Sequence, residues 1–141
     1  MSALVKIFSV IPGASYKFVV VFSRYRGQWL FSRHKNRSTW ETQGGHIEPG
    51  ETPGQAAKRE LWEESGAEQF TLTPAFAYSV GEDPANNGAV FLAEIETLGP
   101  MPESEMAETA LFDTLPEMLT YPQITPVLFE ALQKRPELGY T

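Results

Sequence analysis

Hydrophobic and polar positions along this chain fall mostly into short runs at strand density, interrupted by two stretches with helical spacing. Residues 4–11 mix β-branched and aromatic side chains and stop at Pro12-Gly13, which predicts a first strand. Residues 16–23, Y-K-F-V-V-V-F-S, form an apolar run too short for a buried helix and predict a central strand. Arg26-Gly27-Gln28 predicts a turn, residues 29–32 its hairpin partner, and residues 35–38 a polar loop. Trp40-Glu41-Thr42 predicts a short strand feeding Gly44-Gly45, and Pro49-Gly50 places Glu51 in a tight loop.

Helical signals begin at Thr52. Its hydroxyl suits an N-cap, Pro53 suits the first helical position, Gln55 completes a Thr-x-x-Gln capping box, and Gly66 supplies the stop. Strand density returns over residues 70–80, broken by Pro74, and over residues 89–96, with a loop or wide turn at residues 83–88 between them. Residues 98–104, with Gly99-Pro100 and Pro102, predict an exposed loop, and a short helix is expected to start at Leu115-Pro116-Glu117. Ile124, Val127, Leu128 and Ala131 recur at i, i+3, i+4 and i+7, an amphipathic helix with Thr125 as its cap and Pro126 in its first turn. Mixed strands with helices on both sides of them predict an α/β chain built as a three-layer α/β/α sandwich around a mixed sheet.

The second layer of information is charge on the first helix. At about 100° per residue, Glu60, Glu63 and Glu64 share an arc of roughly 100°, with Ala57 and Leu61 on the adjacent apolar flank. Like charges at these spacings repel by about 0.2–0.5 kcal/mol per exposed pair, so a compensating cation is expected. Arg59 is one candidate; a hard divalent ion, Mg²⁺ or Mn²⁺, suits convergent carboxylate oxygens better. A solvated acidic helix face carries the same bare E-x-x-E-E, and the flanking residues decide between the two.

Gly45, Glu51, Arg59-Glu60-Leu61, Glu63-Glu64 and Gly66-Ala67 stand at the spacing G-x5-E-x7-R-E-U-x-E-E-x-G-U, where U is a bulky aliphatic. This resembles the Nudix box over 23 residues, with Ala67 smaller than the usual final residue, and weaker resemblance runs through residues 40–44 and 105–115. Gln43-Gly44-Gly45 stands where the family commonly has Pro-Gly-Gly. The resemblance implies the Nudix fold and metal-assisted hydrolysis of a nucleoside diphosphate linked to another group. It implies that Glu60, Glu63 and Glu64 ligate or orient Mg²⁺, that the Gly44 carbonyl adds a ligand, and that Arg59 pairs with Glu51. Glu105 and Glu108 fall in a stretch resembling the family's later acidic loop, where an acidic residue can approach the metals, so Glu105 is a further candidate metal ligand and both compete with Glu60 and Glu64 for the role of general base. Among substrates, an 8-oxo-dGTP-like nucleoside triphosphate comes first, with ADP-ribose, dinucleoside polyphosphates and nucleotide sugars open. A non-catalytic nucleotide-binding module would have lost a box glutamate, and a prenyl diphosphate isomerase of this fold would want a cysteine.

Composition adds boundaries. A chain of 141 residues with 42% hydrophobic and 12% aromatic content is expected to form one domain over residues 1–141. It has no Cys, so metal ligands must be oxygen or His. Neither a signal peptide nor an apolar run approaching ~18 residues is visible, so a soluble cytoplasmic protein, monomer or homodimer, is expected. A net charge of −7 argues against nucleic acid polymers and anionic membranes as partners while leaving small nucleotides open. Arg24, Arg26, Arg33, Lys35 and Arg37, with His34, form a local basic patch that suits phosphates or a solvated edge equally. His34 and His46 are each lone and read as surface or loop residues. Tyr16, Phe18, Phe31, Trp40, Phe76, Tyr78 and Phe91 are the candidate base-stacking aromatics, with core packing as their ordinary use.

Overall fold

A computed structural model describes residues 4–9 and 15–135. The first strand, β1 (Val5–Phe8), is shorter than residues 4–11: residues 4 and 9 fall outside it, and residues 10 and 11, with Pro12-Gly13, lie outside the described residues. The apolar run forms β2 (Phe18–Tyr25), and a two-residue turn with Arg26 at φ 54° and Gly27 at φ 81° leads into β3 (Gln28–His34). Two consecutive left-handed residues match the twist of the strands that they join. Short strands β4 (Trp40–Glu41) and β5 (Gln43–His46) follow, then helix α1 (Pro53–Ser65), β6 (Ala67–Val80), β7 (Asn87–Leu98), β8 (Met106–Phe112) and α2 (Thr125–Gln133).

The mixed sheet runs β1-β6-β7-β2-β3-β4, with β5 on β2 and β8 on β3. Only β2 and β7 pair in parallel among these ladders. Period-two alternation divides the strands between two cores. Val19, Val21, Leu30, Ala89, Phe91, Ala93 and Ile95 pack with Ala56, Ala57 and Leu61 of α1; Phe22, Trp29, Phe31, Val90 and Leu92 pack with Leu128, Phe129 and Leu132 of α2. The sandwich expected from the sequence is therefore the observed architecture, one helix on each face. In β6 the register slips between Pro74 and Phe76, so Leu72 faces α1 while Phe76 and Tyr78 face α2. A one-residue bulge exchanges the faces of everything beyond it, and Pro74 marks it.

Helix α1 begins and ends as its sequence dictates. Gln55 N–H donates to Thr52 Oγ1 at 3.1 Å, Thr52 N–H donates to Gln55 Oε1 at 2.9 Å, and Gly66 closes the helix at φ 85°. Three expectations need correction. Residues 115–117 form no helix: the segment runs irregularly, and Leu119 makes an isolated bridge to Trp40. Thr125 is the first residue of α2 and buried, not its cap; Ile124 caps without a side-chain bond. The buried stripe of α2 is Thr125, Leu128, Phe129 and Leu132, whereas Val127 is exposed. Strand β8, not anticipated as an element, lies on the outer edge of β3, opposite the β2 side.

Replacing Thr52 with Ala removes one half of the capping box and should cost about 1 kcal/mol. For a chain of this size that reads as a fall in Tm of roughly 3 °C with unchanged circular dichroism; no change in Tm would show that the cap is energetically silent.

Candidate active site

The chemistry collects where α1 meets the loop before it. Glu51 sits one residue ahead of the cap, and the helix returns Arg59 two turns later to face it. Arg59 Nε donates to Glu51 Oε2 at 2.7 Å and Nη2 to Glu51 Oε1 at 2.9 Å, a two-pronged fork. The remaining donors are also used: Nη1 meets Glu60 Oε1 at 2.6 Å and Glu63 Oε2 at 3.4 Å, and Nη2 reaches the His46 carbonyl at 3.1 Å. Glu51 Oε1 further accepts from the Glu48 N–H at 2.8 Å, bracing the turn. The guanidinium beside it pulls the Glu51 carboxyl down to about 2.

Glu64 lies deepest. Its Oε1 accepts the Gly44 N–H at 2.8 Å and its carbonyl accepts Ser32 Oγ at 2.9 Å. Burial pushes its carboxyl up to about 8, against the Gly44 N–H that favours the charged form, with the negative charges of Glu60, Glu41 and Glu63 adding to the rise. Glu60 is also raised, again by burial, despite Arg59. Glycine is required on the facing strand. A Cβ at Gly45 would stand 2.9 Å from the Glu60 carboxyl carbon, and one at Gly44 would collide with the Val19 carbonyl.

The other candidates are placed elsewhere. Glu108 pairs across the ladder with Arg33, on the α2 face with Phe31 and Phe112, and its Oε2 accepts from Arg33 Nη2 at 2.7 Å. Glu105 precedes β8 with its side chain 86% exposed and meets His34 Nε2 at 3.5 Å. Neither is among the carboxylates that Arg59 gathers, which are Glu48, Glu51, Glu60 and Glu63. Much of the basic patch is neutralised piecemeal, Arg24 by Glu94, Arg33 by Glu108 and Arg37 by Glu41.

On the α2 side a cavity of about 380 Å³ opens beside the same glycines. Phe18, Val20, Tyr78, Val80, Ile124 and Leu128 give it an apolar body, and the ring of His46 stands 4.6 Å from that of Phe18. Phe31, Phe76 and Phe91 are core, so of the seven candidate aromatics Phe18 and Tyr78 reach this cavity. Sequence reasoning missed Glu41, Tyr121 and Asn86 at its walls; they come from three separate segments, with no spacing to link them.

Among the described residues no three carboxylates or imidazoles converge closely enough to enclose an ion as they stand. Arg59 occupies the space between Glu60 and Glu63. The donor set is nonetheless all oxygen, on one helix face, with charge in excess of the single guanidinium. That chemistry fits a hard divalent cation.

The raised Glu64 carboxyl has a sign that can be tested. Its folded value of about 8 exceeds the ordinary 4.5, so its contribution is fully present below pH 4.5 and is lost as pH rises through about 8. The metal-free protein should lose Tm steadily from pH 5 to 8, and Glu64→Gln should flatten that slope. Glu51 acts oppositely and only in acid, where stability falls as pH drops from 4.5 through about 2. An unchanged slope in Glu64→Gln would refute the assignment.

Comparison with known proteins accords with this geometry. Residues 15–129 match the family described as NUDIX domain. YtkD of Bacillus subtilis, whose name carries a provisional 8-oxo-dGTP diphosphatase assignment, is 36% identical over 108 residues, 75% of this chain and 68% of that protein. The crystal structure of the Bacillus subtilis pyrophosphohydrolase BsRppH aligns with a TM-score of 0.81 and 32% identity, covering 96% of this chain and 92% of that one. An RNA pyrophosphohydrolase of Tolumonas auensis is 39% identical over 54 residues, 38% of this chain but only 31% of that protein. With its capped helix, its Arg59–Glu51 fork and a family match across both cores, the chain belongs to the NUDIX family.

Proposed function

We propose that this chain, acting as a single domain, is a Mg²⁺-dependent pyrophosphohydrolase, Mn²⁺ substituting, that cleaves nucleoside triphosphates to monophosphate and pyrophosphate. An 8-oxo-dGTP-like nucleotide heads its substrates. The observation that carries this reading is the position of Gly44 and Gly45. They border the aromatic-walled cavity on the α2 side, while on the α1 side Gly44 N–H binds Glu64 and Gly45 abuts Glu60. A base in the cavity and a phosphate chain at the carboxylates thus belong to one molecule crossing a strand without side chains. The cavity volume lies in the range usual for small-molecule sites.

Glu60, Glu63 and Glu64 would hold the metal, with Gly44 contributing from the strand. When bound, the metal neutralises phosphate oxygens and lowers the pKa of the attacking water. Arg59 keeps the helix and the Glu51 loop in register and spreads the charge of Glu60 and Glu63. Glu60 and Glu64 are favoured as the proton acceptor over Glu108, which faces the opposite side of the sheet and is committed to Arg33, while Glu105, highly exposed beside His34, remains a competing acceptor. The chain's net charge of −7 supports free nucleotides, in the cytoplasm, over long polymers. A second reading, removal of pyrophosphate from a 5′-triphosphorylated RNA end, is favoured by the relative named as an RNA pyrophosphohydrolase.

A panel of 8-oxo-dGTP, the ordinary triphosphates, ADP-ribose, a dinucleoside polyphosphate, a nucleotide sugar and a 5′-triphosphorylated oligoribonucleotide, with pyrophosphate and phosphate read separately, decides among these. Fastest turnover of a free triphosphate, releasing pyrophosphate, is expected. Glu63→Gln and Glu64→Gln should each retain less than a tenth of that turnover at saturating Mg²⁺, a loss above about 1.4 kcal/mol, while remaining folded.

Arg59→Lys keeps the charge and loses the fork, so turnover should fall by one to two orders of magnitude, about 1.4–2.7 kcal/mol. Glu51→Gln should lose a similar amount. In the double variant the loss should be well below the sum, since the two act as one pair; full additivity would place Arg59 on substrate phosphate instead.

A further inference from the structure

Strands β2 and β3 separate beyond the Ser23–Leu30 pair, and β4 and β5 enter the gap, β4 on β3 through Glu41–Ser32 and β5 on β2 through Gln43–Val21. Gln43, fully buried, fills the point of divergence. Its Oε1 accepts Ser23 Oγ at 2.5 Å, and its Nε2 donates to the Leu30 carbonyl at 3.2 Å and to Ser32 Oγ at 2.9 Å. Ser32 Oγ in turn donates to the Glu64 carbonyl at 2.9 Å, and the residue following Gln43 donates its N–H to the Glu64 carboxylate at 2.8 Å.

We propose that Gln43 is the positioning residue of the helix carboxylates, holding Glu64 at both ends: its amide fixes the serine that grips the Glu64 carbonyl, and its main chain delivers Gly44 N–H to the Glu64 carboxylate. Two strands, a helix end and the two-glycine segment are tied through one side chain. A proline at this position, as in the pattern that the box resembles, has no amide to offer. Ser23 and Ser32, both buried, would then lose the partner that they share. Gln43, Ser23 and Ser32 therefore form one hydrogen-bonded unit that ends on the Glu64 main-chain carbonyl, while the next residue's N–H reaches the Glu64 carboxylate. The inference rests on the reading of Glu64 as a metal-side residue.

Gln43→Met preserves length and removes the amide. Expected are a kcat about tenfold lower with little change in KM, and Mn²⁺ bound about tenfold more weakly, read as free Mn²⁺ by electron paramagnetic resonance. The Gly44 amide proton should also exchange about tenfold faster by NMR. Ser32→Ala, which cuts only the link to the Glu64 carbonyl, should reproduce part of the Mn²⁺ loss and covers the case in which Gln43→Met fails to fold. The triple variant Gln43→Met, Ser23→Ala, Ser32→Ala leaves no hydroxyl seeking the amide, so its Tm should rise above that of Gln43→Met while kcat and Mn²⁺ affinity stay low. Recovery of kcat and Mn²⁺ affinity together with Tm would make Gln43 a purely structural residue and overturn the proposal. Unchanged Mn²⁺ binding in Ser32→Ala and in whichever Gln43 variant folds would do the same. If the wild-type chain turns over no nucleotide, the functional reading falls, and Mn²⁺ binding and Gly44 exchange still decide the positioning.

Discussion

Too many carboxylates around one guanidinium is the constraint on which this structure depends. Glu51, Glu60 and Glu63 all touch Arg59, and Glu48 Oε1 lies 3.8 Å away. A planar fork can serve several oxygens in fixed directions, which an ammonium cannot. For the fork to meet Glu51 edge-on, the loop must turn at Gly50, φ 83°, and the helix must start at once, which is why the capping box stands directly after Glu51. The sequence conserves space for this arrangement rather than bulk: glycines face Glu60 and Glu64, and the apolar flank of α1 is built from Ala56, Ala57 and Leu61.

The sheet separates the two halves of the site. Strict alternation in β2 and β7 sends Val19, Val21, Phe91 and Ala93 toward the charged helix and Phe18, Val20, Val90 and Leu92 toward the cavity side. The glutamates of α1 gather on its own face, and the cavity's apolar volume lies on the α2 face, where the proposed function seats a base. At Gly44-Gly45 and the neighbouring His46, whose carbonyl accepts from Arg59, the two environments adjoin. The bulge at Pro74 completes the division by turning Tyr78 to the cavity after Leu72 has packed under α1.

What was legible in the sequence follows from locality. The cap at Thr52, the stop at Gly66 and the turn at Arg26-Gly27 involve residues close together in the chain, so spacing alone carries them; the Arg59–Glu51 pairing is implied by the resemblance to the Nudix box. Strand β8 was not legible, because Met106-Ala-Glu-Thr-Ala-Leu-Phe mixes polar and small residues on an outer edge and lacks a clean alternation. The helix expected at Leu115 failed because main-chain bonds pull that segment to Trp40 instead: Trp40 N–H donates to the Met118 carbonyl and Thr120 N–H to the Trp40 carbonyl. Glu108 looked like its neighbour Glu105 in one dimension, and only the register against Arg33 turned it to the other face. Gln43 was visible merely as a departure from a pattern; its partners come from two other strands, at separations that no local signal spans.

If Glu64 holds a metal as proposed, proton and metal compete for the deepest of these carboxylates. With its carboxyl near 8, Glu64 is largely protonated at neutral pH in the metal-free chain, which relieves part of the repulsion that Arg59 leaves uncompensated. On the proposed function, a divalent cation bound at Glu64 would displace that proton, because only the carboxylate is a ligand. Its apparent affinity must then rise with pH until Glu64 is ionised. The Gly44 N–H is already aimed at the oxygen whose charge appears on that exchange, so the strand is set for the ionised form before the ion arrives. A structure with Arg59 between Glu60 and Glu63 and a proton on Glu64 is thus internally neutralised as far as its own groups allow. On the proposed function, the residual negative charge that they cannot cancel would draw a metal–phosphate complex into the cleft.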